Sequence, residues 1–292
     1  MEERKAINKQ SFVEKMKSYR RHPFSFFLLA LVLTAAVVTV VTFLFLVAYV
    51  LVTGVPNLKP SLFAWEYNSE NVSMVPAILN TIEMVILALL FAVPFGVGAA
   101  IYLVEYAKKG NKIVGLVRLT AETLTGIPSI IYGLFGMLFF VTALGWRNSI
   151  LAGAMTLAIM VLPTVMRTTE EALLSVPDSY REGSFGLGAG KLRTVFQIVL
   201  PAAIPGILSG VILSIGRIVG ETAALIYTAG TVAGLAGIMD SGRTLAIHMY
   251  VLSNEGMHKN EANATAVILL LIVLGINALS GKLANRLKAP AA

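Results

Sequence analysis

The sequence contains no cysteine, and only 13% of its 292 residues are charged. The missing cysteine excludes disulfides, thiol nucleophiles and cysteine metal sites. The low charge excludes an ordinary water-soluble domain, in which about a quarter of residues are charged. The three histidines, His22, His248 and His258, lie far apart and have no metal-ligand spacing with an acid or with one another. We therefore expect no metal site, and we place the histidines at the solvated surface.

The sequence has instead long apolar runs without a single charge, the first of them at residues 24–58. A hydrocarbon core about 30 Å thick needs about 20 helical residues. The first run is too long for a signal peptide, and no A-x-A-like site follows, so we expect it to be a retained span. The predicted fold is an all-α integral membrane protein with six transmembrane helices, at about 24–53, 74–104, 116–145, 148–168, 196–230 and 262–284.

The net charge of +7 is distributed unevenly between the two sides of this topology. Eighteen of the 23 lysines and arginines fall on the side of the termini. Because cytoplasmic loops are enriched in lysine and arginine, both termini are predicted to be cytoplasmic, with residues 1–23 forming a cytoplasmic tail. The basic charge is thus a topology signal, and no nucleic-acid partner is expected.

A polar, glycine-rich segment between the fourth and fifth spans has a distinctive spacing. Glu182 is followed by Gly188, then by nine residues, Ile198 and the pair Leu200-Pro201. This resembles the cytoplasmic loop motif of type-1 ATP-binding-cassette (ABC) importer permeases, E-A-A-x-x-x-G-x9-I-x-L-P. The resemblance implies a coupling loop at 169–195, whose short helix docks on a separate ATPase subunit.

The match to that motif has one departure. Gly183 and Ser184 stand where the family has two alanines, so close docking is retained but helix propensity is weaker. The nearby stretch GLGAGKL at 186–192 lacks the spacing of a phosphate-binding loop. We therefore expect no cofactor on this chain, with ATP and Mg²⁺ used by the partner ATPase.

Two charged residues fall inside the fifth apolar stretch. Arg217 and Glu221 are four residues apart, which would place them on one helix face. A charge near the bilayer centre is costly, about 2.5 to 3.5 kcal/mol on insertion scales, and it usually faces a partner or an aqueous path. Two interpretations stay open: a structural ion pair, or an anion path in which the Arg217 guanidinium contacts an oxyanion and Glu221 is its resting partner. Glu122, near the inner end of the third span, is either a path residue or a wetted interfacial one.

The same stretch is rich in small residues, which permit close helix approach in lipid. They are Gly206, Gly210, Ser214, Gly216 and Gly220. Packing within the chain and packing against another subunit are equally compatible with them.

Three segments narrow the resemblance. AETLTGIPSIIYGLFG (121–136), REGSFGLGAGKLRTVFQIVLPAAIPGI (181–207) and GRIVGETAALIYTAG (216–230) resemble the membrane subunits of bacterial phosphate ABC importers. With SGRTLAIHMYVLSNEG (241–256), the last looks more like the PstA-type half than the PstC-type half. The resemblance implies a permease domain over 74–287, in the bacterial cell membrane, that performs no covalent chemistry.

It also implies a set of partners and of site residues. The partners would be a PstC-type permease, a PstB-type ATPase dimer and an extracytoplasmic PstS-type phosphate-binding protein. The substrate path would include Arg217, Glu221 and Glu122. The implied ATPase-coupling residues are Glu182, Gly183, Ser184, Gly188, Ile198, Leu200 and Pro201.

Other functions remain as alternatives. The chain could be a permease half for sulfate or molybdate, or the sibling PstC-type half. A stand-alone secondary transporter or channel would transport without an ATPase and would leave the loop spacing unexplained. A membrane enzyme would need a polar catalytic cluster, and the sequence has none.

Overall fold

The computed structural model describes residues 23–108 and 110–287, and the regular elements of these residues are helical. In chain order the α-helices are α1 (Pro23–Gly54), α2 (Val75–Ile101), α3 (Lys112–Thr125), α4 (Ser129–Gly136), α5 (Ile150–Leu174), α6 (Asp178–Gly186), α7 (Lys191–Thr194), α8 (Leu200–Val219), α9 (Ala223–Thr228), α10 (Leu245–Glu255) and α11 (Lys259–Leu287). Wider helical turns extend α2 through Tyr102–Tyr106 and α4 through Met137–Ala143, and precede α8 at Val195–Val199.

The chain divides into two compact units, Met1–Val52 and Thr53–Ala292. Most of α1 forms the described part of the first unit. Its 32 residues carry no charge and would extend about 48 Å at 1.5 Å per residue, enough to cross a bilayer. The helix coincides with the predicted first span, whereas residues 1–22 of the predicted tail lie outside the described residues.

Five helical stretches of the described chain are long and apolar enough to cross a membrane, and a sixth span is available from a bent pair. The pair is α3 and α4, whose axes are bent by 102° at the Gly126–Pro128 break. The break follows from Pro128, which lacks an N–H and disfavours helix at the preceding residue. The five stretches are Phe24–Asn57, Val75–Tyr106, Ile150–Leu174, Lys191–Val219 and Lys259–Leu279. The prediction of an all-helical, multi-span protein is confirmed, but the third span is not straight.

Within the second unit, α2 and α5 are surrounded by α4, α8, α9 and α10. Their shared core contains Met84, Leu157, Met160, Leu225 and Ile247, all of them fully buried. Close approach to α5 also explains two glycines of α8. A Cβ on Gly206 would lie 2.6 Å from Ala172 Cβ, and one on Gly210 would collide with Thr168. These glycines therefore pack within the chain.

The predicted fifth span is wrong at its C-terminal end. We predicted one helix over 196–230, but α8 ends at Val219 and the chain turns through Gly220–Thr222 before α9 begins. Residues 169–174, predicted as part of a loop, belong to the last turns of α5. α5 therefore extends further toward α6 than its apolar run indicated.

The end of the bundle opposite α6, which we call the far end, is closed by buried polar contacts. The Asn80 amide donates to the carbonyls of Gly234 and Arg243 at 3.0 and 3.2 Å, and its oxygen accepts from Ala236 N. Thr81 accepts from Leu245 N at 2.9 Å. These bonds from α2 hold the loop between α9 and α10.

His248 on α10 corrects a second prediction, because it is fully buried rather than solvated. The imidazole lies edge-on to the Tyr67 ring, with 6.2 Å between the ring centres. The Arg243 guanidinium lies 4.6 Å from the centre of the Tyr67 ring. Burial, helped by the Arg243 charge, lowers the His248 pKa to about 3, so the imidazole is neutral at physiological pH.

Candidate coupling and translocation site

α6 is a short helix with well-defined ends. It starts after Pro177 with Asp178 in its first turn, where a carboxylate complements the helix dipole. After Gly186 the chain reverses through Gly188, which has φ +83°, and Ala189 N donates to Ser184 O at 3.1 Å. Such a left-handed position favours glycine. The predicted Gly188 is therefore the residue that lets the chain turn back after α6.

Arg181 attaches α6 to two other helices. Its Nε and Nη2 donate to Glu105 Oε1 at 3.1 and 2.8 Å. Nη2 also donates to Leu173 O at 2.9 Å, and Nη1 to Val176 O at 2.8 Å and to Asp178 at 3.2 Å. The side chains of Arg181 and Glu105 are only 15% and 8% exposed, so the pair is shielded from water. One guanidinium thus joins α6, the end of α2 and the end of α5.

Sequence reasoning missed this joint. It identified neither Arg181 nor Glu105 as a coupling residue. The signal that could have revealed Glu105 is its position as the first charged residue after the long apolar run of α2. The carboxylate is retained at the end of that run because a buried arginine compensates it.

The segment after α6 is fixed to the bundle at its other end. Ser184 shares a 2.8 Å hydrogen bond with Thr194, so this residue of the predicted motif ties α6 to α7. Val195 and Val199 are fully buried in the core at the α6 end of the bundle. Pro201 opens α8 without an N–H to donate, next to the widened turn at Val195–Val199.

The remaining face of α6 is exposed, and large apolar side chains lie on it and on the chain that follows it. Leu187 is 91% exposed, and Tyr180, Phe185 and Ile198 are also exposed. Beside them lies an open cleft of about 440 Å³, lined in part by Gly183 and Ser184. Glu182 lies on the exposed surface and has no hydrogen bond or ion pair within the described residues. Exposed apolar groups of this size on a short helix are typical of a protein contact.

Arg217 occupies a different environment, in the last turn of α8. It is half-buried, and within residues 23–108 and 110–287 it forms no ion pair and no hydrogen bond. Its charge interacts electrostatically with Tyr132 of α4, whose hydroxyl donates to Leu124 O across the α3–α4 bend at 2.8 Å. The guanidinium therefore lies beside two broken helices and keeps its donors available.

Glu221 does not have the position that its spacing predicted. Because α8 ends at Val219, Glu221 lies beyond the helix and cannot share a helix face with Arg217. Its Oε1 accepts from Ala224 N at 3.0 Å, which caps the first turn of α9. The predicted resting ion pair between the two residues does not form in this structure.

Close backbone packing fixes the break between α8 and α9. A Cβ on Gly133 would lie 2.7 Å from Ala224 Cα, and one on Gly136 would lie 2.7 Å from Thr228 Cγ2. The glycines of the 121–136 segment thus allow α4 to approach α9 directly. Glycine in this segment is explained by helix contact rather than by flexibility.

Glu122 is not brought together with Arg217. It lies at the α6 end of the bundle, 66% exposed, 3.5 Å from Arg167 Nη1. Arg167 also contacts Glu171 at 3.5 Å. The geometry places Glu122 in a surface charge network, which is the wetted alternative that its sequence position allowed.

The chain is similar to known proteins in sequence and in fold. The family model described as "Binding-protein-dependent transport system inner membrane component" matches residues 92–288. The chain is 33% identical over 260 residues to the phosphate transport system permease protein PstA of Haemophilus influenzae, covering 85% of this chain and 90% of that protein. It is 32% identical over 256 residues to the probable ABC transporter permease protein YqgI of Bacillus subtilis, covering 80% and 85%.

Solved structures add the fold. A bacterial alginate ABC transporter in complex with an alginate pentasaccharide-bound periplasmic protein superposes with a TM-score of 0.65 at 15% identity, covering 94% of this chain and 99% of that one. At that identity the likeness concerns architecture only. The likeness supports the overall helical fold of this chain.

Proposed function

Because the chain belongs to the family of binding-protein-dependent transport system inner membrane components, we propose that it is the PstA-type permease subunit of an ATP-driven inorganic phosphate importer. Membership makes the chain a multi-pass inner-membrane subunit of an ABC transporter with the type-1 importer fold, which is not itself catalytic. That the transported substrate is phosphate goes beyond family membership. It is supported by relatives named as phosphate permeases over most of this chain.

The proposal that the substrate is phosphate rests on the environment of Arg217. A half-buried guanidinium with no carboxylate or carbonyl partner in the described chain offers its planar fork to a ligand. Guanidinium groups bind tetrahedral oxyanions with two parallel N–H···O bonds. The break between α8 and α9 frees backbone at the same depth, an arrangement that transporters use at substrate sites.

The proposed roles of the other two path residues are narrower than the sequence indicated. Glu221 keeps the α8–α9 break in place through its cap on Ala224. Glu122, held by Arg167 at the α6 end, lies where an anion would leave the path. In this proposal neither carboxylate contacts the anion while Arg217 holds it, because like charges repel.

The coupling proposal concerns α6. ABC permeases of this family work with an ATPase, a paired permease and a binding protein, and we assign these as PstB-, PstC- and PstS-type subunits. ATP and Mg²⁺ belong to the ATPase. Its closure would press on the exposed face of α6 around Glu182 and Leu187, and the Arg181 joint would carry the displacement to α2 and α5 together.

The proposed cycle uses the chain's residues for positioning and for binding. The permease pair opens outward, the binding protein delivers phosphate, and Arg217 receives it beside Tyr132. After hydrolysis the pair opens inward and phosphate leaves toward the α6 end. No covalent bond to phosphate is made or broken by this chain.

The test is uptake of labelled phosphate into proteoliposomes that hold this chain with its partner subunits and the binding protein. We expect uptake that requires ATP and that resists excess sulfate and molybdate. Inhibition by either competitor would support an ATP-driven importer whose substrate is that other oxyanion. Uptake without ATP or without the ATPase would contradict the coupling proposal.

A further inference from the structure

A cleft of about 850 Å³ opens at the α6 end of the bundle, between α3 and the adjoining ends of α2 and α5. It is distinct from the Arg217 site and from the exposed face of α6. Its floor is apolar, made by the largely buried Leu103, Val114 and Met166. Its rim is basic, with Lys108 and Lys112 at the turn that leads into α3.

Each acid that lines the cleft contacts an arginine. Glu170 pairs with Arg118 at 2.6 Å, and Arg167 contacts both Glu122 and Glu171 at 3.5 Å. In the described parts of the chain neither rim lysine forms an ion pair. Because two acids share Arg167, the four basic and three acidic side chains of the lining give it a net charge of +1, and its unpaired cations are the two rim lysines.

Asn111, between these lysines, offers a neutral donor. Its side-chain oxygen accepts from Ile113 N at 2.9 Å and caps α3. An amide has two donors as well as its oxygen, and no hydrogen bond of the described chain uses them. Gly110, at φ +82°, turns the backbone beside it without a side chain to cover the mouth.

The direction of α3 places the cleft at the bilayer surface. α4 with its widened turn has 15 residues and would extend about 22 Å, most of a hydrocarbon core. α3 lies at 102° to it and exposes Ile113, Leu116 and Leu119 on its outer side. A helix with such an exposed apolar face, with Lys112 at its start and Arg118 in its middle, is suited to the interface plane.

From this juxtaposition we propose that the cleft binds the headgroup of an anionic phospholipid such as phosphatidylglycerol. Lys108, Lys112 and the Asn111 amide would hold the phosphate diester, and one acyl chain would lie on the apolar floor. Basic pockets between membrane helices recognise acidic headgroups in this way. A free phosphate ion would leave the apolar floor unused. The proposal depends on the bilayer position of α3 and not on the transported anion, so a failed phosphate-uptake test would leave it standing.

Native mass spectrometry of the assembled importer tests this. The complex, purified in neutral detergent, is mixed with equal amounts of phosphatidylglycerol and phosphatidylcholine, and the retained lipids are counted. We expect preferential retention of phosphatidylglycerol, weakened about fivefold by Lys108→Gln and by Lys112→Gln. Lys282→Gln is the matched control, because this exposed lysine of α11 does not line the cleft.

Lys112→Arg, which keeps the charge, separates binding from folding and should retain the preference. Equal loss in Lys112→Arg and Lys112→Gln would overturn the proposal, as would a wild-type complex that retains both lipids alike. An equal loss in Lys282→Gln would reduce the effect to general surface charge and would also overturn it. Displacement of the lipid by millimolar inorganic phosphate would assign the cleft to the free anion instead.

Discussion

Two arginines of this chain, Arg181 and Arg217, have opposite environments. Arg181 makes five hydrogen bonds and is 15% exposed, with Glu105 as its ionic partner. Arg217 is half-buried and has neither an ion pair nor a hydrogen bond in the described chain. A guanidinium whose donors are used is part of the framework. One whose donors are free at a helix break is available to a ligand.

In the proposed function, this difference separates mechanical coupling at Arg181 from substrate binding at Arg217. Arg181 joins three helix ends, so displacement of α6 must displace α2 and α5 with it. Arg217 lies where α8 stops and contacts no helix by a polar bond, so its loss leaves the framework unchanged. The two sites should therefore respond differently to the same substitution.

The largest expected effect is on transport by Arg217→Ala. Removal of a bidentate charged contact of about 3 kcal/mol should lower phosphate uptake about 100-fold, while the complex assembles normally. Arg217→Lys keeps the charge but loses the planar fork, and uptake should be intermediate. Uptake assays combined with gel filtration of the complex give both quantities. Normal uptake by Arg217→Ala would rule out the anion contact.

Arg181→Ala should instead damage stability and coupling. It leaves the buried Glu105 carboxylate without its partner, at a cost of about 3 kcal/mol in unfolding free energy. We expect a lower melting temperature and ATP hydrolysis that no longer responds to the binding protein. Glu105→Gln should lose part of the same coupling. Lys282→Ala is the control, because Lys282 is an exposed base of α11 that does not line the cleft beside α6.

A smaller effect distinguishes the two glycines of the coupling motif. Gly188→Val forces a branched side chain into φ +83° and should cost about 1 to 2 kcal/mol, weakening ATPase docking. Gly183→Ala is its opposite, because a Cβ there meets open space inside α6 and helix propensity improves by about 0.5 to 1 kcal/mol. Thermal unfolding and ATPase co-purification measure both. Equal losses in the two variants would contradict the assigned backbone roles.

The smallest effect concerns a third buried base, His248, at the far end. Its folded pKa of about 3 lies below the unfolded value of 6.5, so the unfolded chain binds the proton first as the pH falls. The contribution of neutral His248 to the free energy of unfolding is fully present above pH 6.5 and is lost as the pH falls toward 3. At pH 5.5 the loss is about 1.4 kcal/mol. His248→Leu should remove that decrease, and His258→Gln should not. Melting curves at pH 7.5 and 5.5 decide between them.

The sequence predicts the features of this molecule that depend on local patterns in the chain. Apolar length indicates which segments cross the bilayer, and the Glu182-to-Pro201 spacing predicts a coupling segment through its resemblance to a family motif. Both patterns are local in the chain. Gly188 also follows from local chemistry, since it ends a helix. These features needed no knowledge of which helices are neighbours.

The rest depends on contacts that are distant in sequence. Glu105 and Arg181 are 76 residues apart, and the Tyr67 ring that packs edge-on against His248 comes from a distant segment. Apart from Arg217 and Glu221, residues 216–230 are mostly apolar, so the sequence predicts a continuous helix there and not a break. The break follows from the Glu221 cap and from α4 packing directly against α9.

The central claim is that Arg217 binds the transported anion while Arg181 only transmits force. It is tested most directly by measuring phosphate uptake and ATP hydrolysis in the same proteoliposomes for wild type, Arg217→Ala and Arg181→Ala. We expect Arg217→Ala to lower uptake about 100-fold and to retain hydrolysis that responds to the binding protein, whereas Arg181→Ala should lose this response. Wild-type uptake by the Arg217→Ala vesicles would contradict the central claim.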